Sequence, residues 1–212
     1  MGILTLFGQL VDIILHMDKY LNIILHNYGT WTYAILFTVI FIETGLVLTP
    51  FLPGDSLLFV AGTLSGAGSL NVFVLFGLLS LAAVLGDTFN YWIGNYFGEK
   101  VFAQSRFFKK EYLQKTKKFY DSHGGKTIII ARFIPIVRTF APFVAGIGQM
   151  SYLRFLTFNI VGGVGWVAIF IFGGYYFGQM VFVKQNLTLI IILIILTSFI
   201  PPALEYIKSK RR

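Results

Sequence analysis

Thirty-one consecutive residues, Ser56 to Gly86, carry no charge, and this one run limits what the chain can become. A soluble domain needs a solvated side on every long element, and about 25% of its residues are charged. No helix or strand drawn through this run has such a side. Four more uncharged stretches accompany it: Tyr20–Ile42 (23 residues), Thr139–Leu153 (15), Phe155–Val183 (29) and Gln185–Leu204 (20). Only 12% of the 212 residues are charged, and mean hydropathy is +0.76. Nine acids and 17 bases cannot clothe such a chain in water. The composition predicts an all-α integral membrane protein, because a helical crossing takes about 20 apolar residues at about 1.5 Å each.

Several other classes fall away. With no cysteine, there is no disulfide, thiol chemistry or Cys-bound metal. The first 25 residues do not read as a signal peptide, since no basic segment precedes the apolar run and Asp12 and Asp18 interrupt it. The opening residues miss the myristoylation pattern at Leu6. The net charge of +8 fits loops facing an anionic cytoplasmic leaflet rather than nucleic acid. His16, His26 and His123 have no second ligand at metal spacing. No nucleophile elbow follows Ser56, and no phosphate-binding loop for ATP occurs. The expectation is a non-enzyme without metal or cofactor.

Gln185–Leu204 is the length of one crossing and ends at Pro201-Pro202; Phe155–Val183 is another, with Gly162, Gly163, Gly165, Gly173 and Gly174 suited to close helix packing. The long run from Ser56 is broken at Gly62, Gly66 and Gly68-Ser69, so a full crossing fits only from Leu70 to about Phe97. Two segments resist being plain spans. One holds Pro50, Pro53 and Gly54 between Glu43 and Asp55; the other, Thr127–Met150, holds Arg132, Pro135, Arg138 and Pro142. Proline removes a backbone donor, and irregular backbone at membrane depth survives only inside protein or beside a wet cavity. Both read as re-entrant broken-helix elements, with kinked ordinary helices as the plainer alternative.

Internal similarity supports this reading. Phe59-Val60-Ala61-Gly62 recurs as Phe143-Val144-Ala145-Gly146. Gly94-Asn-Tyr-Phe-Gly-Glu-Lys-Val-Phe102 recurs as Gly174-Tyr-Tyr-Phe-Gly-Gln-Met-Val-Phe182, with six of nine positions identical. The expected plan is one membrane domain over 1–212: an N-terminal helix (1–28), repeat 1 (30–98, re-entrant part 43–66), a basic cytoplasmic segment (99–126), repeat 2 (127–182, re-entrant part 127–150) and a C-terminal transmembrane helix (185–207). Lys100–Lys126 carries eight Lys/Arg and Lys208–Arg212 four more, which places both on the cytoplasmic side. The N-terminus is expected there as well. The two re-entrant parts then open from opposite faces, an inverted repeat of the secondary-transporter kind. Phe108–Ser122 reads as an amphipathic helix on the inner leaflet.

Five ionisable residues stand in the apolar zones: Glu43, Asp55, Asp87, Arg132 and Arg138. Each costs at least about 2.5–3.5 kcal/mol to insert, so each needs a partner or a purpose. Buried ion pairs that merely tie the fold are one answer, and for Asp87 a structural and a functional role stand level. The other answer is a site. Arg132 and Arg138, six apart around Pro135, suit an anionic phosphate group through their planar donors. Glu43, Asp55 and Asp87 would gate them or carry protons, since burial raises a carboxyl pKa toward the working range. Pro50, Pro53, Gly54, Pro135 and Pro142 would shape the breaks.

At these residues the sequence resembles the bacterial DedA family of the wider VTT (SNARE-associated) superfamily. The resemblance is carried by Glu43 through Gly62, by Gly86-Asp87 with Tyr91 and Gly94, and by His123 through Gly146, and extends from about residue 1 to 210. It implies a bacterial inner-membrane protein with opposed re-entrant loops. It also implies dependence on Glu43, Asp55, Arg132 and Arg138, and a part in returning undecaprenyl phosphate across the membrane or in scrambling phospholipids. The expectation is a lipid translocase whose partners are a polyprenyl phosphate or phospholipid and protons, with a second copy of the chain as a candidate partner. A proton-coupled small-ion transporter and an assembly factor are the alternatives.

Overall fold

The computed structural model describes Gly8, Asp12 and residues 16–46, 54–104, 126–132 and 134–197; these form helices joined by turns, with no strand among them. Helix α1 (Met17–Tyr28) and helix α2 (Trp31–Gly45) divide the uncharged Tyr20–Ile42 stretch. The division falls at Gly29, whose φ of 52° and ψ of −121° suit a residue without Cβ. Tyr20–Ile42 is therefore not one continuous helix, although its hydropathy alone permits one.

Helix α3 (Gly54–Gly66) begins at Gly54. Its 13 residues reach about 20 Å, short of the roughly 30 Å hydrocarbon core. It is buried without interruption from Ser56 to Ser65, which is why its sequence lacks a polar face. Pro50 and Pro53 lie outside the described residues. A turn at Gly68 (φ +84°) ends it, and Asn71 opens the next helix by accepting from the N–H groups of Phe73 and Val74 at 3.0 and 3.2 Å. That helix, α4 (Val72–Gln104), is 33 residues long.

Helix α5 (Lys126–Ala131) stops after six residues. Helix α6 (Pro135–Ile147) starts with proline in its first turn, and Ile134 before it is extended (φ −118°, ψ 107°), as the residue preceding a proline is pushed to be. Among the described residues, Thr127–Met150 thus holds two helices, α5 and α6, rather than one. Pro142 sits within α6, which runs on through it. Helix α7 (Tyr152–Phe177) ends at Gly178 and is followed by α8 (Val181–Gln185) and α9 (Leu187–Thr197). The amphipathic segment Phe108–Ser122 lies outside the described residues.

Within α4 and α7, Val72–Phe97 and Tyr152–Phe177 are 26 residues each, with mean hydropathy 2.1 and 2.0, long and apolar enough to cross a membrane. Their surfaces are inverted relative to a soluble protein. Phe73, Leu81, Leu85, Phe89, Trp92 and Tyr96 stand exposed along α4, while Ser80, Asp87 and Asn90 of the same helix are buried. An apolar exterior around a polar interior suits hydrocarbon and not water.

The chain gathers into two compact units, and the division falls inside α2, α4 and α7. The first comprises Met1–Leu36, Pro53–Leu78 and Val167–Arg212; the second comprises Phe37–Leu52 and Leu79–Trp166. In the first, a Cβ on Gly62 would strike the Ile171 carbonyl, and one on Gly174 would strike that of Phe59. In the second, a Cβ on Gly146 would strike the Tyr91 carbonyl, and one on Gly94 that of Phe143. The recurrent motifs therefore pack crosswise: the Phe-Val-Ala-Gly of each copy lies on the Gly-rich helix of the other. Tyr91 adds a ring stacked on Phe155 at 4.5 Å, and its hydroxyl donates to the Met150 carbonyl.

Candidate functional site

The second unit holds four of the five intramembrane charges, arranged as two buried ion pairs. Arg138 Nη2 donates to Glu43 Oε1, and Arg132 Nη2 donates to Asp87 Oδ2. All four side chains are at most 4% exposed. Each position follows from local structure. Glu43 lies in the last turn of α2, Arg138 in the first turn of α6, and Asp87 midway along α4. Arg132 sits on the break itself, where its N–H turns back to the Ile129 carbonyl at 3.3 Å. The α2–α4 approach depends on glycine: a Cβ on Gly86 would meet Thr44 Oγ1, and one on Gly45 would lie 3.4 Å from Gly86 Cα. This explains why a glycine immediately precedes Asp87.

One face of α7 receives Arg132. Asn159, Gly162, Gly163 and Trp166 recur at three- and four-residue spacing and so share that face. Asn159 Oδ1 accepts from Arg132 Nη2, while its Nδ2 donates to the Val84 carbonyl at 3.0 Å and contacts Thr88 Oγ1 at 3.4 Å. A Cβ on Gly162 would lie 3.2 Å from Arg132 Cδ, and one on Gly163 the same distance from Nη2. Arg132 thus lies in a trough left by two missing side chains. Trp166, wholly buried, carries both cations: Arg138 Cζ is 4.9 Å and Arg132 Cζ 6.0 Å from its ring. Asn90 links the other pair, donating to the Thr139 and Thr44 carbonyls at 2.7 and 3.3 Å. Those residues directly follow Arg138 and Glu43.

Two guanidiniums closed by two carboxylates make a neutral buried set, where desolvation offsets most of the attraction. Such pairs hold weakly against exchange with a better acceptor. A phosphate offers several oxygens to planar donors, and Arg132 has buried Nε and Nη1 atoms that take part in no hydrogen bond.

Asp55 lies in the first turn of α3, partly buried, in the first unit. Gly54 begins the same helix, and Pro135 begins α6. Asn90, Asn159 and Trp166 carry no charge, so the cost of an ion in an apolar run does not mark them. Their signal was uncharged polarity within apolar runs, and both asparagines are fully buried. Of the five glycines noted in Phe155–Val183, Gly174 meets a helix backbone, Gly162 and Gly163 meet Arg132, and Gly165 and Gly173 have nothing within 4 Å of a Cβ. Among the described residues, no three His, Cys, Asp or Glu gather as a metal site would need.

Residues 52–176 match the family described as the VTT domain. The chain is 53% identical over 206 residues to Protein DedA of Escherichia coli strain K12, covering 95% of this chain and 94% of that one. It is 46% identical over 165 residues to an uncharacterized membrane protein of Mycobacterium leprae, 77% of this chain and 74% of that. It is 35% identical over 158 residues to Inner membrane protein YghB of Salmonella typhimurium, 73% and 71%. No solved structure matches it.

Proposed function

This chain belongs to the DedA family of VTT-domain membrane proteins, and from that premise we propose that it carries a lipid with an anionic phosphate headgroup across the bacterial inner membrane. The reading rests on one observation: Arg132 and Arg138 are buried together in a neutral set with Asp87 and Glu43, against one tryptophan ring. A phosphate entering this set displaces the carboxylates and takes both guanidiniums, and its departure lets the pairs close again. Polyprenyl phosphate, with undecaprenyl phosphate as the bacterial example, is the substrate the reading favours.

In this account α3 and the α5–α6 segment are the re-entrant elements of an inverted repeat, opening from opposite faces of the membrane. Both termini face the cytoplasm, following the basic segments. Asp55, at the start of α3, gates access or carries a proton, and coupling to protons runs through it and through the two carboxylates freed when phosphate binds. Reconstitution in liposomes tests the proposal. Wild type should move a fluorescent polyprenyl phosphate between leaflets, and Arg132→Gln and Arg138→Gln should each lose that flux while remaining folded. Proton flux without lipid movement would sink the lipid reading in favour of a small-ion transporter. Full activity in both variants would remove the site from transport altogether.

A further inference from the structure

Asn90 is wholly buried on α4, three residues beyond Asp87 and so on the same face. One end of its amide faces two backbone carbonyls, Thr139 at 2.7 Å and Thr44 at 3.3 Å. Only the NH2 end can face two acceptors, so the opposite end is fixed as the carbonyl oxygen. That oxygen, Oδ1, is buried and receives no hydrogen bond; Asp87 Oδ1 is in the same condition. Helix α4 therefore presents two acceptors that want a donor. Arg132, paired with Asp87 through Nη2, has Nε and Nη1 that want an acceptor. In a buried site each unmatched atom is costly, and a ligand that matches all of them is favoured over one that matches half.

Phosphates differ in this respect. A phosphodiester or a fully ionised monoester brings acceptor oxygens only. A singly protonated monoester brings acceptor oxygens for Arg132 and one O–H for α4. Building on the lipid-phosphate reading above, we propose that Asn90 is a specificity-determining residue whose side-chain oxygen accepts the O–H of a protonated phosphomonoester headgroup. Through it the site selects a phosphomonoester lipid over a phosphodiester. Asp87 supplies the neighbouring acceptor but also neutralises Arg132, so a change there alters charge and recognition together. Asn90 carries no charge and separates the two effects.

The test compares binding of a short-chain polyprenyl phosphate with that of its methyl diester, using purified full-length protein at pH 5.5 and pH 8. The monoester loses its O–H with a pKa of about 6, and the diester has none to lose. Glu43, Arg132 and Arg138 face the phosphate oxygens of both lipids, and Asp87, which can also take the monoester O–H, is kept in Asn90→Leu, so the difference between wild type and variant reports on the Asn90 amide. Wild type should prefer the monoester about tenfold at pH 5.5 and about equally with the diester at pH 8. Asn90→Leu should hold the ratio within about twofold at both pH values, whatever it does to overall affinity. A wild-type ratio that does not change with pH overturns the proposal whether or not the variant folds. An Asn90→Leu ratio identical to that of wild type overturns it as well. If wild type binds neither lipid, the lipid-phosphate reading itself has failed, a result distinct from binding both without preference.

Discussion

The Arg132–Asp87 pair separates what holds the protein together from what it does. Removing one member strands a buried charge, which costs about 3–5 kcal/mol; replacing both with apolar residues of similar size is often neutral. Arg132→Ala or Asp87→Ala should therefore lower resistance to unfolding in SDS by that amount. The double variant Arg132→Met/Asp87→Leu should recover most of the loss and remain inactive in lipid transport. A double variant as unstable as the two singles added would show that the pair is not coupled. Gly163→Ala makes a narrower case. Its Cβ would come within 3.2 Å of both Arg132 Nη2 and Val84 Cγ2, so the expected result is a fold kept within about 1–3 kcal/mol and transport reduced more than stability. The charges were readable from the sequence because an ion in an apolar run is conspicuous by its cost. The pairing was not: Asp87 and Arg132 are 45 residues apart and Glu43 and Arg138 are 95 apart, and no spacing rule links such positions. Asn159 escaped for a simpler reason, since an uncharged amide adds little to a hydropathy count.

The helices show where pattern sufficed and where it did not. Pro135 reads as a break in the sequence and stands at the start of α6, because a missing N–H and a fixed φ suit a first turn. Pro142 carries the same chemistry, yet α6 continues through it; burial holds the helix where propensity would end it. Gly29, between the expected N-terminal helix (1–28) and repeat 1 (30–98), carries a turn that hydropathy by itself does not register. Glycine content likewise signalled close packing without saying which glycines pack. Gly146→Ala should cost about 1–3 kcal/mol, because its Cβ would strike the Tyr91 carbonyl. Gly173→Ala in α7, with nothing within 4 Å, should be neutral or gain up to about 1 kcal/mol of helix propensity. Thermal unfolding of the two variants in detergent checks both. Equal effects would mean that the carbonyl contact at Gly146 does not constrain the helices.

Each compact unit takes material from both halves of the chain: α3 with the end of α7 in one, the later part of α4 with α6 in the other. Cutting the chain within residues 105–125 should therefore leave two pieces that are each degraded when expressed alone. Expressed together, they should copurify through a tag on either piece and regain SDS resistance. Independent stability of one piece would contradict the crosswise packing. The similarity of the two halves was visible in the sequence from the recurrent motifs. That each motif seeks the other copy was not, since a match reveals kinship and not contact.

Consider a chain of half the length, carrying one such copy. It would present one Phe-Val-Ala-Gly surface and one glycine-lined helix, each shaped for a partner it does not itself supply. Only a second molecule could close both seams, and its assembly would fall apart on dilution. Joining the copies in one polypeptide replaces that encounter with a step inside a single molecule, at an effective concentration set by the connecting segment. Dilution in a sparsely populated membrane then no longer threatens the fold.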